Sequence, residues 1–221
     1  TAGRSHTSMS TSPEVCREKG ADAFAGVVGK IGACYDTRQV YGHEGIPGML
    51  ARAFWKTVTA DRTDFLDRLI ALLTEHGIRY CVVGGQAVNA YVEPVVSLDL
   101  DLAVAVDQLP RAEVLLRQAF SVERFPHSLN VSAPGSDLRV QLQTDPRYAS
   151  FVDSATPHEL LGIPLPVARL EDLLQGKLWA AVDPEPRPSK RQKDLADIAR
   201  LLEAYPALRQ QIPPEVLARL V

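Results

Sequence analysis

The sequence predicts a mixed α+β fold in which helices flank a sheet and a helical subdomain follows it. Strand-like apolar runs fall in the middle of the chain, at 79–83, 98–106, 128–133 and 138–144. Beyond them the pattern is only helical, at 156–161, 169–182, 190–204 and 214–220. Because strands and helices mix first and helices come last, we expect a sheet domain over 48–155 and a helical subdomain over 156–221.

The composition is that of a globular protein without a global basic field. The chain has 221 residues, 46% of them hydrophobic and 23% charged, with a net charge of −3, so any RNA contact must be local. Three widely spaced cysteines argue against a disulfide framework or a zinc site and favour the reducing cytoplasm. Neither a membrane-length apolar run nor a signal-peptide core is found, so we expect no membrane contact.

The N-terminal segment is polar and rich in glycine, and regular structure is expected only after it. Residues 1–47 are rich in Ser, Thr and Gly, so we expect them to be disordered or weakly helical. Apolar residues then recur at helical spacing between Phe65 and Leu73, which predicts a helix over 62–76 with Gly77 as its C-cap.

The next elements predict a strand, a tight glycine turn and a second strand. The buried-strand pattern at 79–83 ends at Gly84-Gly85, which should turn directly into a helix. In the strand at 98–106 the leucines share one face, while Asp99 and Asp101 begin the other. A helix follows Pro110, and the strands at 128–133 and 138–144 are joined by a turn at 133–136.

The glycine turn and the two acids predict phosphate chemistry when they are taken together. Backbone N–H groups at Gly84-Gly85 can approach an anion closely at a helix start. Asp99 and Asp101 project from one strand face and can share a divalent cation. Displacement at phosphorus needs both features. On its own, a glycine pair after a strand is more often only a tight turn, and an Asp-x-Asp pattern more often a solvated strand face, but their combination is more specific.

These residues resemble the signature of the minimal nucleotidyltransferases of the polymerase-beta-like superfamily. Val83-Gly84-Gly85 is followed, after thirteen residues, by Asp99-Leu100-Asp101-Leu102. With Pro94 and Ser97 the stretch is most similar to the branch that includes the abortive-infection and toxin–antitoxin nucleotidyltransferases, over about 60–205. The resemblance implies a nucleotidyltransferase-type sheet, an NTP substrate, and Mg²⁺ or Mn²⁺ held by the two acids. It also implies NMP transfer to a hydroxyl of an RNA 3′ end, a protein or a small molecule, and a cognate antitoxin as partner.

Two C-terminal residues extend the candidate site. Lys177 lies on the apolar stripe of its helix, so it needs an anionic partner or a route to water; the resemblance implies contact with nucleotide phosphates. Asp194 shares a face with Ile198 and should point inward, as a partner for Lys177 or for a substrate hydroxyl, or only as a complement to the helix dipole. Asp197 is expected nearer the polar side.

A basic cluster begins the next helix. Arg187, Lys190, Arg191 and Lys193 are either a solvated helix end or a contact for phosphate, tRNA or another RNA. The predicted catalytic residues are Asp99, Asp101, Lys177 and Asp194. The predicted nucleotide-binding residues are Gly84, Gly85, Ser97, Lys177 and Arg191.

The sequence departs from the family pattern at two places. The strand expected to carry a third acid reads Val140-Gln-Leu-Gln-Thr144, and an amide brings no charge and cannot act as a base. Val95 stands where the branch tends to have an arginine. The acceptor hydroxyl would then be deprotonated by Asp145 or Asp194, or would lose its proton without a dedicated base. The alternative is a catalytically weak nucleotide-binding or partner-binding module on the same fold.

Overall fold

The computed structural model describes residues 48–183 and 188–220. The expectation for 1–47, and Arg187 of the basic cluster, lie outside these residues. The elements, in chain order, are α1 Gly48–Val58, α2 Phe65–Glu75, β1 Tyr80–Val83, α3 Gly84–Asn89, β2 Asp99–Val104, α4 Leu109–Ala119, β3 Ser121–Phe125, β4 Ser128–Ser132, β5 Arg139–Gln143, α5 Ala149–Ser154, β6 Thr156–Leu160, β7 Ile163–Val167, α6 Leu170–Val182, α7 Pro188–Ala204 and α8 Pro214–Leu217.

The seven strands form one mixed sheet in the order β3-β4-β5-β2-β1-β7-β6. At its centre β1 runs antiparallel to β2, and β2 runs parallel to β5. The β3–β4, β4–β5 and β6–β7 pairs are antiparallel, and β7 joins β1 in parallel at Val82 and Val167. Helices flank this sheet, so the predicted α+β fold class is confirmed.

The faces of β2 explain why the acids stay accessible. Leu100 and Leu102 are fully buried in the main apolar core, while Asp99 and Asp101 lie on the opposite face and are half-buried. Strand alternation therefore anchors β2 through its leucines and presents both carboxylates on one side. The predicted helix at 62–76 and the strand at 98–106 are present as α2 and β2.

The helix predicted at 156–161 is wrong, because this segment forms β6, which pairs with β7 in a hairpin. The sheet therefore continues past the boundary predicted at 155. Three prolines obscured these strands: in the ladder, Pro157 faces Pro166 and Pro164 faces Glu159. Antiparallel pairs alternate between hydrogen-bonded and non-hydrogen-bonded positions. Because all three prolines fall in alternate pairs, they can occupy positions at which no N–H is required.

The C-terminal helices pack on the core as predicted. In α6 and α7, apolar residues of both helices are buried: Leu173, Leu174, Leu178, Leu195, Ile198 and Leu201. Strand β3 and helix α1 were not predicted; β3 is mostly exposed and lacks a clear apolar alternation. Within 48–183 and 188–220, no helix is both long and apolar enough to span a bilayer.

Candidate active site

Gly84 brings the glycine turn and the acid pair into contact. It ends the extended backbone of β1 with a positive φ of 67°, and Val83 is the cross-strand partner of Asp101. A β-carbon built at Gly84 would lie 2.8 Å from Asp101 Cγ and would overlap its Oδ2. Glycine is therefore needed at position 84 for two reasons: it adopts the backbone conformation, and it leaves room for the Asp101 carboxylate.

Gly85 has a different environment from Gly84. It adopts helical geometry in the first turn of α3. A β-carbon there would meet Asp197 Oδ2 at 3.8 Å and Lys193 Cε at 3.9 Å, both ordinary contacts. Of the two glycines, therefore, only Gly84 would be strained by an added β-carbon. Gly85 lies between a cation and a carboxylate of α7.

The two acids of β2 have different environments. The Asp99 side chain is 43% exposed, whereas the Asp101 carboxylate packs against Gly84. Burial raises the pKa of Asp101; Lys177 opposes that rise, the negative charge of Asp99 adds to it, and Lys190 and Lys193 also oppose it. The charges of three lysines from α6 and α7 thus act on Asp101.

Two cations lie close to Asp99. Arg139 Nη2 is 2.9 Å from Asp99 Oδ1, and Lys193 Nζ is 4.0 Å from Asp99 Oδ2. Lys193 therefore lies beside both Asp99 and Gly85. A phosphate contact at this place is one of the two roles expected for the basic cluster. Arg191 is half-buried, and its predicted nucleotide contact stays a prediction.

Lys177 lies in a buried ion cluster. Its Nζ is 2.9 Å from Asp194 Oδ1 and 2.7 Å from Asp197 Oδ2, with only 8% of the Lys177 side chain exposed. Burial lowers the pKa of the ammonium, but Asp194 and Asp197 outweigh it and the pKa of Lys177 is raised. The inward orientation predicted for Asp194 is present. The outward position predicted for Asp197 is wrong, because this residue is 5% exposed.

Arg200 connects this cluster to the loop before β2. Its Nη1 donates to Asp197 Oδ1 at 2.9 Å, and its Nη2 donates to Asn89 Oδ1 at 3.0 Å and to the Glu93 carbonyl at 2.5 Å. Asn89 in turn accepts from Val95 N at 3.0 Å. Helix α7 therefore fixes the loop that leads to the acids.

Ser97 and Gln86 position the start of β2. The Ser97 hydroxyl accepts from Asp99 N at 3.3 Å, and the Ser97 carbonyl accepts from Gln86 Nε2 at 3.0 Å. Ser97, predicted to bind nucleotide, thus contacts the backbone of one acid; its nucleotide contact stays a prediction.

The position expected for a third acid is occupied by an amide. Gln141 is the cross-strand neighbour of Asp101, and its Nε2 donates to Ser128 Oγ at 2.8 Å. Asp145, the alternative acid, accepts from Arg147 N at 2.9 Å and from Arg147 Nε at 2.8 Å. Those hydrogen bonds lower the pKa of Asp145. It is therefore an ionised cap of a short 3₁₀ turn.

Tyr148 is a neighbour of the acids that sequence reasoning missed. Burial raises its pKa to about 12, and the Asp101 carboxylate adds to that rise. The phenol therefore stays protonated near the acid pair. It packs edge-on against Trp179, with ring centroids 5.7 Å apart. No local pattern identifies Tyr148, because its proximity to Asp101 depends on the packing of the 3₁₀ turn beneath α6.

The donor set fits Mg²⁺ bound together with a phosphate. Mg²⁺ is commonly held by one or two carboxylates, the remaining positions being filled by phosphate oxygens and water. Asp99 and Asp101 supply two carboxylates on one face. In the part of the chain that the structure describes, no group of three or more His, Cys, Asp or Glu side chains forms a metal cage. The site therefore lacks the ligands to enclose a metal without substrate.

Comparison with known proteins finds similarity only among solved structures. No family model and no curated protein matches the chain. The antibiotic-resistance factor ANT(2'')-Ia is 16% identical with a TM-score of 0.42, covering 66% of this chain and 94% of that chain. The lincomycin-bound lincosamide antibiotic adenylyltransferase LnuA is 11% identical with a TM-score of 0.45, covering 64% and 98%.

An antigenic nucleotidyltransferase-like protein from Paracoccidioides brasiliensis is 19% identical with a TM-score of 0.42, covering 75% of this chain and 91% of that chain. The last two of these structures are described as an adenylyltransferase and as nucleotidyltransferase-like. At these identities and TM-scores, none of the three transfers a family or an activity to this chain. Its function is therefore to be inferred from its own residues.

Proposed function

We propose that this protein is a Mg²⁺- or Mn²⁺-dependent nucleotidyltransferase that moves an NMP from an NTP to a hydroxyl acceptor. The observation that carries the proposal is the contact between Gly84 and Asp101, which places the glycine turn directly against one of two carboxylates on the same strand face. Lys193 lies beside both Gly85 and Asp99. A phosphate-binding turn, a pair of metal ligands and a cation thus occupy one site.

Each group has a role in the proposed reaction. Asp99 and Asp101 would hold the metal, which when bound polarises phosphate oxygens and stabilises the charge on departing pyrophosphate. The backbone at Gly84-Gly85 and the ammonium of Lys193 would bind the triphosphate. An acceptor hydroxyl attacks the α-phosphorus, a new P–O bond forms, and the bond to the β-phosphate oxygen breaks.

The acceptor proton would go to Asp194 or to solvent. Asp194 Oδ2 is buried and has no hydrogen-bond donor, whereas Asp145 is occupied by Arg147. Lys177 contacts Asp194 Oδ1 at 2.9 Å. We therefore assign Lys177 primarily to holding Asp194 in place, with a phosphate contact requiring the ion cluster to rearrange.

The identity of the acceptor and the biological role are part of the same proposal. An RNA 3′ end, including that of tRNA, a protein or a small molecule would supply the hydroxyl. The exposed lysines Lys190 and Lys193 at the start of α7 favour an acceptor with phosphates. A toxin–antitoxin component with a cognate antitoxin fits the resemblance in sequence. We expect it to act in the cytoplasm, where the NTP pool lies.

A second candidate is a nucleotide-binding or partner-binding module with weak catalysis. Gln141 beside Asp101 favours it, because an amide provides neither the charge nor the basicity of the third carboxylate. The ion pair between Arg139 and Asp99 favours it too.

The test is incubation of the purified protein with each α-³²P-labelled NTP and Mg²⁺, in the presence of total RNA and a cell extract. Transfer predicts label in the RNA, protein or small-molecule fraction, with one preferred NTP. Asp99→Asn should reduce the labelling by at least about a hundredfold. The matched control is Asp107→Asn, which alters a surface carboxylate that pairs with Arg79.

The outcomes separate the two candidates. Labelling that survives in the Asp99→Asn, Asp101→Asn double variant would exclude the proposed site. Nucleotide binding that depends on both acids, with no labelled product in any fraction, would favour the binding module.

A further inference from the structure

Arg139 is paired with one of the acids proposed to hold the metal. It begins β5 and is the cross-strand neighbour of Asp99 in the parallel ladder. Its Nη2 lies 2.9 Å from Asp99 Oδ1, and the Arg139 side chain is 71% exposed. The guanidinium thus reaches the carboxylate from the solvent-accessible side, on the sheet face where a metal would bind.

The charges around the acid pair disfavour a metal ion that arrives without phosphate. Arg139 and Lys193 both approach Asp99, and the register neighbour of Asp101 is the neutral Gln141. Two carboxylates therefore face two nearby cations without a third acid from β5. A divalent cation would meet repulsion from Arg139 and would have to compete with it for Asp99.

We propose that Arg139 keeps free divalent cations from Asp99 and Asp101, and contacts the triphosphate when metal and nucleotide bind together. The inference rests on the proposed nucleotidyltransferase function. A guanidinium binds carboxylate and phosphate oxygens with the same planar set of donors. An exposed ion pair is weak, so Arg139 can leave Asp99 when the triphosphate brings its own negative charge. Arg139 is thereby a specificity-determining residue for the metal–nucleotide complex over free metal.

The experiment is a titration of the full chain with Mn²⁺, in which the electron paramagnetic resonance signal reports free Mn²⁺. It is performed first without nucleotide and then with a non-hydrolysable NTP analogue. Arg139→Gln is compared with Arg111→Gln, a matched loss of one exposed arginine. Arg111 is an exposed residue of α4, a helix that packs against α2 and β3.

Opposite effects are expected in the two titrations. Without nucleotide, Arg139→Gln should bind Mn²⁺ about three- to tenfold more tightly than the wild-type chain. With Mn²⁺ saturating, the same variant should bind the analogue about three- to tenfold less tightly. Arg111→Gln should behave as the wild type in both titrations.

Two results would overturn the inference. Unchanged Mn²⁺ affinity in Arg139→Gln would show that the arginine does not restrict the metal. Tighter binding of both Mn²⁺ and the analogue would show that Arg139 blocks the site without contacting phosphate. Failure of the proposed function gives a different result: adding Asp99→Asn to Arg139→Gln would leave the Mn²⁺ affinity unchanged, and the metal would not lie at the acid pair.

Discussion

Single residues of the site carry opposing demands of function and stability. Gly84 accepts a positive φ that other residues rarely adopt, and Asp101 keeps a carboxylate in a partly desolvated position. Neither feature improves the packing of the fold. A site that binds metal and phosphate needs both features. Substitutions at Gly84 and Asp101 should therefore affect stability and activity differently.

The two glycines should respond differently to an added methyl group. Gly84→Ala should lower the free energy of unfolding by about 1–3 kcal/mol, since its β-carbon would be strained at φ 67° and would displace Asp101. Gly85→Ala should leave it unchanged or raise it by up to about 1 kcal/mol, because Gly85 is helical and has space. Urea unfolding measures both; equal losses would contradict the assignment of strain to Gly84.

Replacement of Asp101 should stabilise the protein while abolishing transfer. Because the pKa of Asp101 is raised in the folded chain, the folded state retains its proton at higher pH than the unfolded state. The free energy of unfolding therefore falls as pH rises from the ordinary carboxyl pKa through the raised one. Asp101→Asn does not undergo this loss and should be more stable than the wild-type chain at pH 7, by on the order of 1 kcal/mol.

Thermal melting between pH 4 and pH 8 tests this. The difference in Tm between Asp101→Asn and the wild-type chain should grow with pH. A difference that is constant over this range would mean that the carboxylate is not desolvated in the folded state.

At the scale of elements, α6 packs against α7 and brings Lys177, Asp194 and Asp197 together in an ion cluster. Helix periodicity predicted only part of this cluster. The stripe positions identify Lys177 and Asp194 as inward-facing, and the structure pairs them. Asp197 also turns inward, and it links Lys177 to Arg200 and the loop before β2. The expectation that Asp197 lies nearer the polar side was wrong, because the residue is buried. Its spacing of three from Asp194 is compatible with the same face.

This cluster predicts that Lys177→Met is destabilised. On periodicity alone we would expect stability to hold or rise, because an apolar group replaces a partly buried charge. With the structure, removal of Lys177 leaves Asp194 and Asp197 buried with one cation fewer, which should cost about 3–5 kcal/mol. Urea unfolding of Lys177→Met measures this.

The matched comparison is Lys177→Met combined with Asp194→Asn. Removing one negative charge together with the lysine should restore a large part of the lost stability. No recovery in the double variant would mean that the two residues do not interact energetically.

At the scale of the whole molecule, the site draws on segments that are distant in sequence. The acids come from β2, the turn from the β1–α3 junction, and the cations from β5 and α7. A chain with a net charge of −3 thus places several cations around two carboxylates. Such convergence requires the sheet to be complete, so integrity of the site should follow global folding.

Cys81 provides a reporter of that global folding. It is fully buried in β1, and burial, with a contribution from Asp172, raises its thiol pKa to about 12. Native protein should therefore react with Ellman's reagent only through unfolding. In a chain carrying Cys16→Ser and Cys34→Ser, the rate should rise with urea in parallel with the fraction unfolded. Rapid modification of the native chain would show local opening of β1.

The local sequence determined the strand faces, the strand end and the helices, because these features depend on residues that are close together in the chain. Alternation fixed the two faces of β2, glycines marked the end of β1, and apolar spacing identified α2, α6 and α7. These features could be predicted because side-chain direction repeats with a fixed period in a strand or a helix. The candidate metal ligands were therefore recognisable without a structure.

Tertiary structure decided which groups meet. Periodicity assigns a residue to a face but not to a neighbour, so it could not show that Arg139 pairs with Asp99, or that Lys193 lies beside Gly85. Strands β6 and β7 are rich in proline and were not predicted as strands; β6 pairs with β7, and β7 pairs with β1. Register and helix packing are set by long-range burial, and this is why the acids of the site were predicted while most of the pairings of its cations were not.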